Sequence, residues 1–102
     1  MNFHEETINK LVERLEKNPR YLYVLKNVEY NISEMDVVAV TYDNYMLVFE
    51  VKSSENARRK AYSQLDKHKK TFGKDADRMF RFYVYPKQHT RKREYKIELI
   101  KG

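Results

Sequence analysis

Apolar residues near the start of the chain recur every three or four positions, as they do along one face of a helix. The repeat consists of Ile8, Leu11, Val12 and Leu15, and the dipeptide Asn18-Pro19 follows it. This spacing predicts an amphipathic helix over residues 2–17 that ends at the proline. Glu5 lies one turn before Ile8 on the same face of this helix.

Five later segments, either alternating or continuously apolar, predict β-strands. They are residues 21–30, 35–41, 45–51, 79–85 and 95–100. The turn Tyr42-Asp43-Asn44 joins the second and third strands as a hairpin. Residues 53–72 have helical composition, start with N-cap candidates and end at Gly73. The predicted fold is a single α/β domain over residues 1–102, in the order α-β-β-β-α-β-β.

Composition excludes several classes of protein. The 102 residues contain no cysteine, which excludes disulfides, cysteine zinc sites and iron–sulfur clusters. No apolar run is long enough to span a membrane, and the acidic N-terminus lacks the features of a signal peptide, so we expect a cytoplasmic protein. Lys and Arg number 21 against 15 Asp and Glu, a net charge of +6 that favours a polyanionic partner such as nucleic acid. The nine tyrosines suit base stacking, but strand packing is the preferred interpretation.

Ionisable residues interrupt the two most apolar strands. Glu34 and Asp36 open the second strand, and Glu50 and Lys52 close the third. Strict alternation places Asp36 on the same face as Val38, and Glu50 on the same face as Lys52. Because a hairpin pairs these strands antiparallel, the start of one lies beside the end of the other. We therefore expect Asp36, Glu50 and Lys52 to converge at one end of the sheet.

Two adjacent carboxylates repel each other unless a positive charge lies between them. An all-oxygen donor set favours Mg²⁺ or Mn²⁺, and such a metal promotes phosphodiester hydrolysis. Lys52 would then stabilise the developing charge or orient the attacking water. The alternative is a salt bridge between Lys52 and Glu50 or Asp36, with no metal.

The segments SEMDVVAV (33–40) and YMLVFEVKSS (45–54) closely resemble the core of the PD-(D/E)XK nucleases, and most of all the branch that contains the archaeal Holliday junction resolvases. This resemblance implies a central mixed sheet flanked by helices. It also implies that Asp36, Glu50 and the Val51 carbonyl bind Mg²⁺ or Mn²⁺, with Lys52 as the catalytic lysine. Met35 departs from the family pattern, which has proline at that position.

Two further residues are implied by the same resemblance. Glu5 matches the acidic residue that many members carry on the first helix, with Glu6 as the alternative. Gln64 matches a glutamine on the helix that follows the lysine strand. His4 lies next to Glu5 and could touch the catalytic end, but the spacing of the three histidines does not indicate a histidine metal site.

The predicted function is a metal-dependent endodeoxyribonuclease that acts on branched or duplex DNA, as a homodimer. Alternatives are a non-catalytic nucleic-acid-binding module that keeps the fold, and a protein-interaction subunit. The DNA-binding candidates are basic residues of the second helix and of the loop at 87–93: Arg58, Arg59, Lys60, Lys67, Lys69, Lys70, Arg91, Lys92 and Arg93.

Overall fold

Five strands form one sheet, and a helix precedes them in the chain. The computed structural model describes residues 3–30, 33–52, 63, 78–86 and 95–100. The elements are helix α1 (Phe3–Glu16) and strands β1 (Tyr21–Tyr30), β2 (Ser33–Thr41), β3 (Met46–Val51), β4 (Met79–Pro86) and β5 (Tyr95–Ile100). These bounds agree with the sequence prediction to within two residues at each end. The predicted second helix lies outside the described residues, apart from Ser63.

The sheet is mixed and has the order β1-β2-β3-β4-β5. Strands β3 and β4 pair parallel, and all other neighbours pair antiparallel. The β2–β3 hairpin turns through Asn44, whose φ of 68° is a left-handed conformation that asparagine tolerates. Thr41 closes the turn, because its N–H donates to the Tyr45 carbonyl and its hydroxyl accepts from the Tyr45 N–H.

Helix α1 packs on one face of the sheet, over β1, β2 and β3. Its apolar stripe of Ile8, Leu11 and Leu15 is buried, as the periodicity predicts, while Glu13 and Glu16 are exposed. The strand residues beneath the helix are Val37, Ala39, Phe49, Val51 and Val84. Within the described part of the chain, no helix has the length and apolar character needed to cross a membrane.

The opposite face of the sheet carries a second cluster, built on Met35, Val38 and Val48. Met35 and Val38 are separated by an odd number of positions, so a regular strand would place them on opposite faces. Both lie on this face, and the alternation of β2 is therefore broken between them. The β1–β2 register continues from Lys26–Val37 to Val28–Met35, and opposite the intervening Asp36 stands Asn27, which has a φ of 53°.

This irregularity corrects one expectation. Strict alternation put Asp36 on the face of Val38, but the Asp36 carboxylate lies beside His4 of helix α1. The left-handed Asn27 opposite Asp36 is the local irregularity that accompanies this change of direction.

Candidate active site

Two carboxylates come together where β2 begins and β3 ends. The antiparallel pairing runs from Val40–Met46 to Val37–Phe49, so Asp36 and Glu50 come next, beyond the last pair. Both residues are buried, with 7% of Asp36 and 2% of Glu50 exposed. They line a cavity of about 220 Å³ together with His4, Glu34 and Lys52. The hairpin register thus places the three predicted chemical groups around one cavity.

Asp36 is held by its Oδ2 atom. The backbone N–H of Val51 donates to this oxygen at 2.8 Å, so the carboxylate takes the place of a main-chain acceptor where the β2–β3 ladder ends. Hydrogen bonds of this kind, to an ionised acceptor, are stronger than those between neutral groups. The His4 Nε2 atom lies 3.5 Å from the same Oδ2. Asp36 is therefore fixed by its neighbouring strand and approached by the helix.

Glu50 and Lys52 form an ion pair at the same end of the sheet. Lys52 Nζ lies 3.5 Å from Glu50 Oε1, and 23% of the Lys52 side chain is exposed against 3% of the Glu50 side chain. The Lys52 N–H donates to the Val84 carbonyl at 2.9 Å, which extends the β3–β4 ladder by one residue. Lys52 is thus anchored through its backbone while its side chain extends from Glu50 towards solvent.

The chemistry of this donor set fits a hard divalent cation. Asp36 and Glu50 supply carboxylate oxygens, and Mg²⁺ typically takes one or two protein carboxylates while it keeps several waters. Among the described residues, no group of three or more His, Asp or Glu side chains is arranged to hold a metal. Any metal here would therefore depend on two carboxylates supplemented by a backbone carbonyl, water or substrate oxygen. The Val51 carbonyl is the backbone candidate.

The predicted helix acid lies in an adjoining cavity. Glu5 is exposed and lines a cavity of about 290 Å³ whose other wall is formed by Lys26 and Asn27 of β1. His4 lines both this cavity and the Asp36–Glu50 cavity. Gln64 and the nine basic residues proposed to bind DNA lie outside the described residues.

Three buried or cavity-lining residues were not among the predicted site residues. His4 contacts Asp36, although helical periodicity favoured Glu5 as the contribution of α1. Glu34 lines the cavity, whereas the sequence favoured a role in capping the strand over one in holding a second metal. Arg81 is only 8% exposed and lies beside Val48 in the parallel β3–β4 ladder. The alternating pattern of β4 signals this position, since it puts Arg81 and Tyr83 on one face.

Comparison with known proteins supports the fold. The chain is similar in structure to a repair endonuclease from Pyrococcus abyssi, with a TM-score of 0.55 and 19% sequence identity. The match covers 80% of this chain and 37% of that protein, so this chain corresponds to little more than a third of it. No protein-family model matches the sequence, and no curated protein matches it. The protein therefore has an endonuclease-like α/β fold, with a five-stranded mixed sheet and an N-terminal helix.

Proposed function

We propose that the protein is a metal-dependent endonuclease that hydrolyses phosphodiester bonds in DNA, through Asp36, Glu50 and Lys52. The observation that carries this proposal is the burial of two carboxylates side by side at a strand end, with one lysine beside them. Burying a charged group is costly unless it is paired or bound to a metal. A binding site for a cation accounts for this arrangement better than a structural role does.

In this proposal Asp36, Glu50 and the Val51 carbonyl hold Mg²⁺ or Mn²⁺. When bound, the metal supplies Lewis-acid activation of the phosphate and a nucleophile derived from water at neutral pH. The Val51 N–H keeps Asp36 in position, since it fixes Oδ2 from the neighbouring strand. Lys52 contributes a positive charge at the mouth of the cavity, where it stabilises the phosphate oxygens or orients the attacking water.

His4 has a supporting role. Its Nε2 contact with Oδ2 restricts the rotation of the Asp36 carboxylate, and the other carboxylate oxygen is the one that would bind a metal. Partners of this kind, which touch a metal ligand rather than the metal, commonly contribute as much as tenfold or more to activity. His4 is therefore a positioning residue in this proposal.

The wider proposal places the chain among the PD-(D/E)XK nucleases and makes branched or duplex DNA its substrate. The structural similarity to a repair endonuclease and the net charge of +6 support it. One such site cuts one strand, so we also propose a two-fold homodimer for the cleavage of both strands.

The test is cleavage of supercoiled plasmid, linear duplex and a four-way junction in Mg²⁺, Mn²⁺ or EDTA. We expect cleavage with either metal, none in EDTA, and none by Asp36→Asn or Glu50→Gln. Glu13→Gln is the matched control, because it removes one carboxylate from an exposed position on α1. Unchanged cleavage by either site variant would contradict the assignment. DNA binding without cleavage under any of these conditions would instead favour the non-catalytic binding module.

A further inference from the structure

A second cavity lies at the opposite end of β2 and β3, next to the hairpin turn. It measures about 440 Å³, against about 220 Å³ for the cavity of Asp36 and Glu50. Its walls are mainly aromatic, with two charged side chains among them: Tyr21, Tyr45, Phe80, Phe82, Arg20 and Asp43. Nothing in the proposed nuclease chemistry uses this cavity, which we call the aromatic groove.

The rings of the aromatic groove are accessible from solvent. Phe80 is 39% exposed and Tyr45 is half-buried. Their ring centroids lie 5.6 Å apart at an interplanar angle of 39°, so the two rings form an open angle. The exposed part of the Phe80 ring therefore offers a surface on which a flat aromatic group can stack.

The sheet around Phe80 is not covered in the described part of the chain. Helix α1 packs on β1, β2 and β3, and three apolar residues of β4 and β5 on the same face stay exposed: Phe80, Ile97 and Leu99. Ile97 is 38% exposed and Leu99 is 45% exposed. Exposed apolar surface of this kind is a common sign of a binding site.

The charges around the aromatic groove favour an anionic occupant. Arg20 lines it, and Arg14 lines an adjoining cavity of about 280 Å³ that shares Tyr21 with it. The Arg78 guanidinium lies 5.6 Å from the centre of the Tyr45 ring, and its Nη1 donates to the Asp43 carbonyl at 3.1 Å. Among the described residues that line these two cavities or contact the aromatic groove, three arginines thus outnumber the one carboxylate, that of Asp43.

We propose that the aromatic groove binds an unstacked base of a single DNA strand. The base stacks on Tyr45 or Phe80, and the arginines contact the neighbouring phosphates. Aromatic rings combined with a positive surface are what single-stranded nucleic acid requires, because every base offers a face for stacking and every nucleotide carries a charge. This proposal rests on the nuclease function proposed above and specifies its substrate.

The distance between the aromatic groove and the proposed active site relates the bound base to the scissile phosphate. From Asp36 to Thr41, at about 3.4 Å per residue, β2 spans about 17 Å. The substrate class is therefore DNA with a single-stranded segment within about 17 Å of the scissile phosphate, such as a branch or a flap.

The experiment uses the full chain in EDTA with a single-stranded oligonucleotide that carries 2-aminopurine, whose fluorescence is quenched on stacking. We expect quenching on binding by the parent protein. Phe80→Leu should weaken single-strand affinity by roughly 5- to 150-fold and relieve the quenching, since one stacked base is lost. Phe80→Tyr keeps a ring and is the matched control, which should behave like the parent. Equal affinity and equal quenching in all three proteins would overturn the proposal.

A second measurement uses the unmodified protein, so its result does not depend on whether the variant folds. Irradiation with a strand that contains 5-iododeoxyuridine should crosslink Tyr45 or Phe80, and crosslinks confined to other residues would overturn the proposal. Loss of a dimer in Phe80→Leu, with DNA binding intact, would overturn it in favour of an interface between two copies of the chain. Because EDTA removes cleavage from the assay, quenching without nuclease activity would contradict the nuclease function alone. Cleavage without quenching would contradict the groove alone.

Discussion

Replacing Lys52 by methionine tests whether the lysine compensates charge at the site. Lys52 Nζ lies 3.5 Å from Glu50 Oε1, and the Glu50 side chain is almost fully buried. Methionine keeps most of the length and the apolar stem of lysine but removes its charge. The substitution therefore leaves the buried Glu50 carboxylate, which lies next to that of Asp36, without the positive charge of Lys52.

The expected effect is a loss of about 2 kcal/mol in the free energy of unfolding. Two unit charges at this separation attract by roughly 5 kcal/mol with an effective dielectric constant of about 20. Part of this attraction is offset, because the lysine reaches solvent and because both groups lose hydration on folding. For a domain of this size, about 2 kcal/mol lowers the thermal midpoint by on the order of 8–16 °C.

The assay is urea unfolding of the parent, Lys52→Met, and the double variant Lys52→Met/Glu50→Gln. The double variant should be less destabilised than Lys52→Met, because it removes the carboxylate that lost its partner. Millimolar Mn²⁺ should stabilise Lys52→Met, since a bound cation replaces the missing charge. A Lys52→Met protein as stable as the parent would show that Lys52 does not compensate the buried carboxylate, and would refute this reasoning.

Four further predictions address other parts of the molecule. His4→Ala should lower the initial rate of plasmid cleavage by about tenfold, and an unchanged rate would remove its positioning role. Mixing parent subunits with Glu50→Gln subunits should yield nicked rather than linear plasmid, unless light scattering finds only monomers. The pKa of Asp43 is lowered, chiefly by its side-chain hydrogen bond with Thr41, so its ionised form stabilises the fold at pH values above its ordinary pKa of 3.8. This stabilisation is lost as the pH falls through the lowered pKa. The thermal midpoint of Asp43→Asn should therefore decrease less steeply at acid pH than that of the parent. The same dependence of the thermal midpoint on pH in both proteins would contradict this prediction. Joint replacement of Lys67, Lys69 and Lys70 by alanine should lower the slope of log affinity against log salt concentration for duplex binding by up to ~2.7, as measured by fluorescence anisotropy. An unchanged slope would point instead to the loop at 87–93.

The strands and the hairpin could be predicted because their signals are local. The apolar runs of β2 and β3 and the turn at Asn44 determine the antiparallel register, and that register places Asp36 beside Glu50. The direction of the Asp36 side chain could not be predicted, since it is coupled to the left-handed conformation of Asn27 on another strand. A prediction from alternation assumes a regular strand, so it cannot include such an irregularity.

The contribution of helix α1 to the site shows a different limit. Helical spacing identifies the buried stripe of Ile8, Leu11 and Leu15, and it places both His4 and Glu5 near the catalytic end. Which of the two reaches Asp36 depends on the rotation of the helix on the sheet, which packing decides. The aromatic groove could not be predicted from the sequence for the same reason. Tyr45 and Phe80 resemble ordinary strand residues, and they come together only because β3 and β4 pack side by side.

The central claim is that Asp36 and Glu50 together bind a divalent cation, and the binding of Mn²⁺ to the DNA-free protein tests it most directly. Electron paramagnetic resonance measures the free ion, whose signal falls when the ion binds. The account predicts saturable binding of Mn²⁺ by the parent and by Glu13→Gln, its loss in Asp36→Asn and in Glu50→Gln, and competition by Mg²⁺. Equal binding of Mn²⁺ by the parent and both site variants would contradict it.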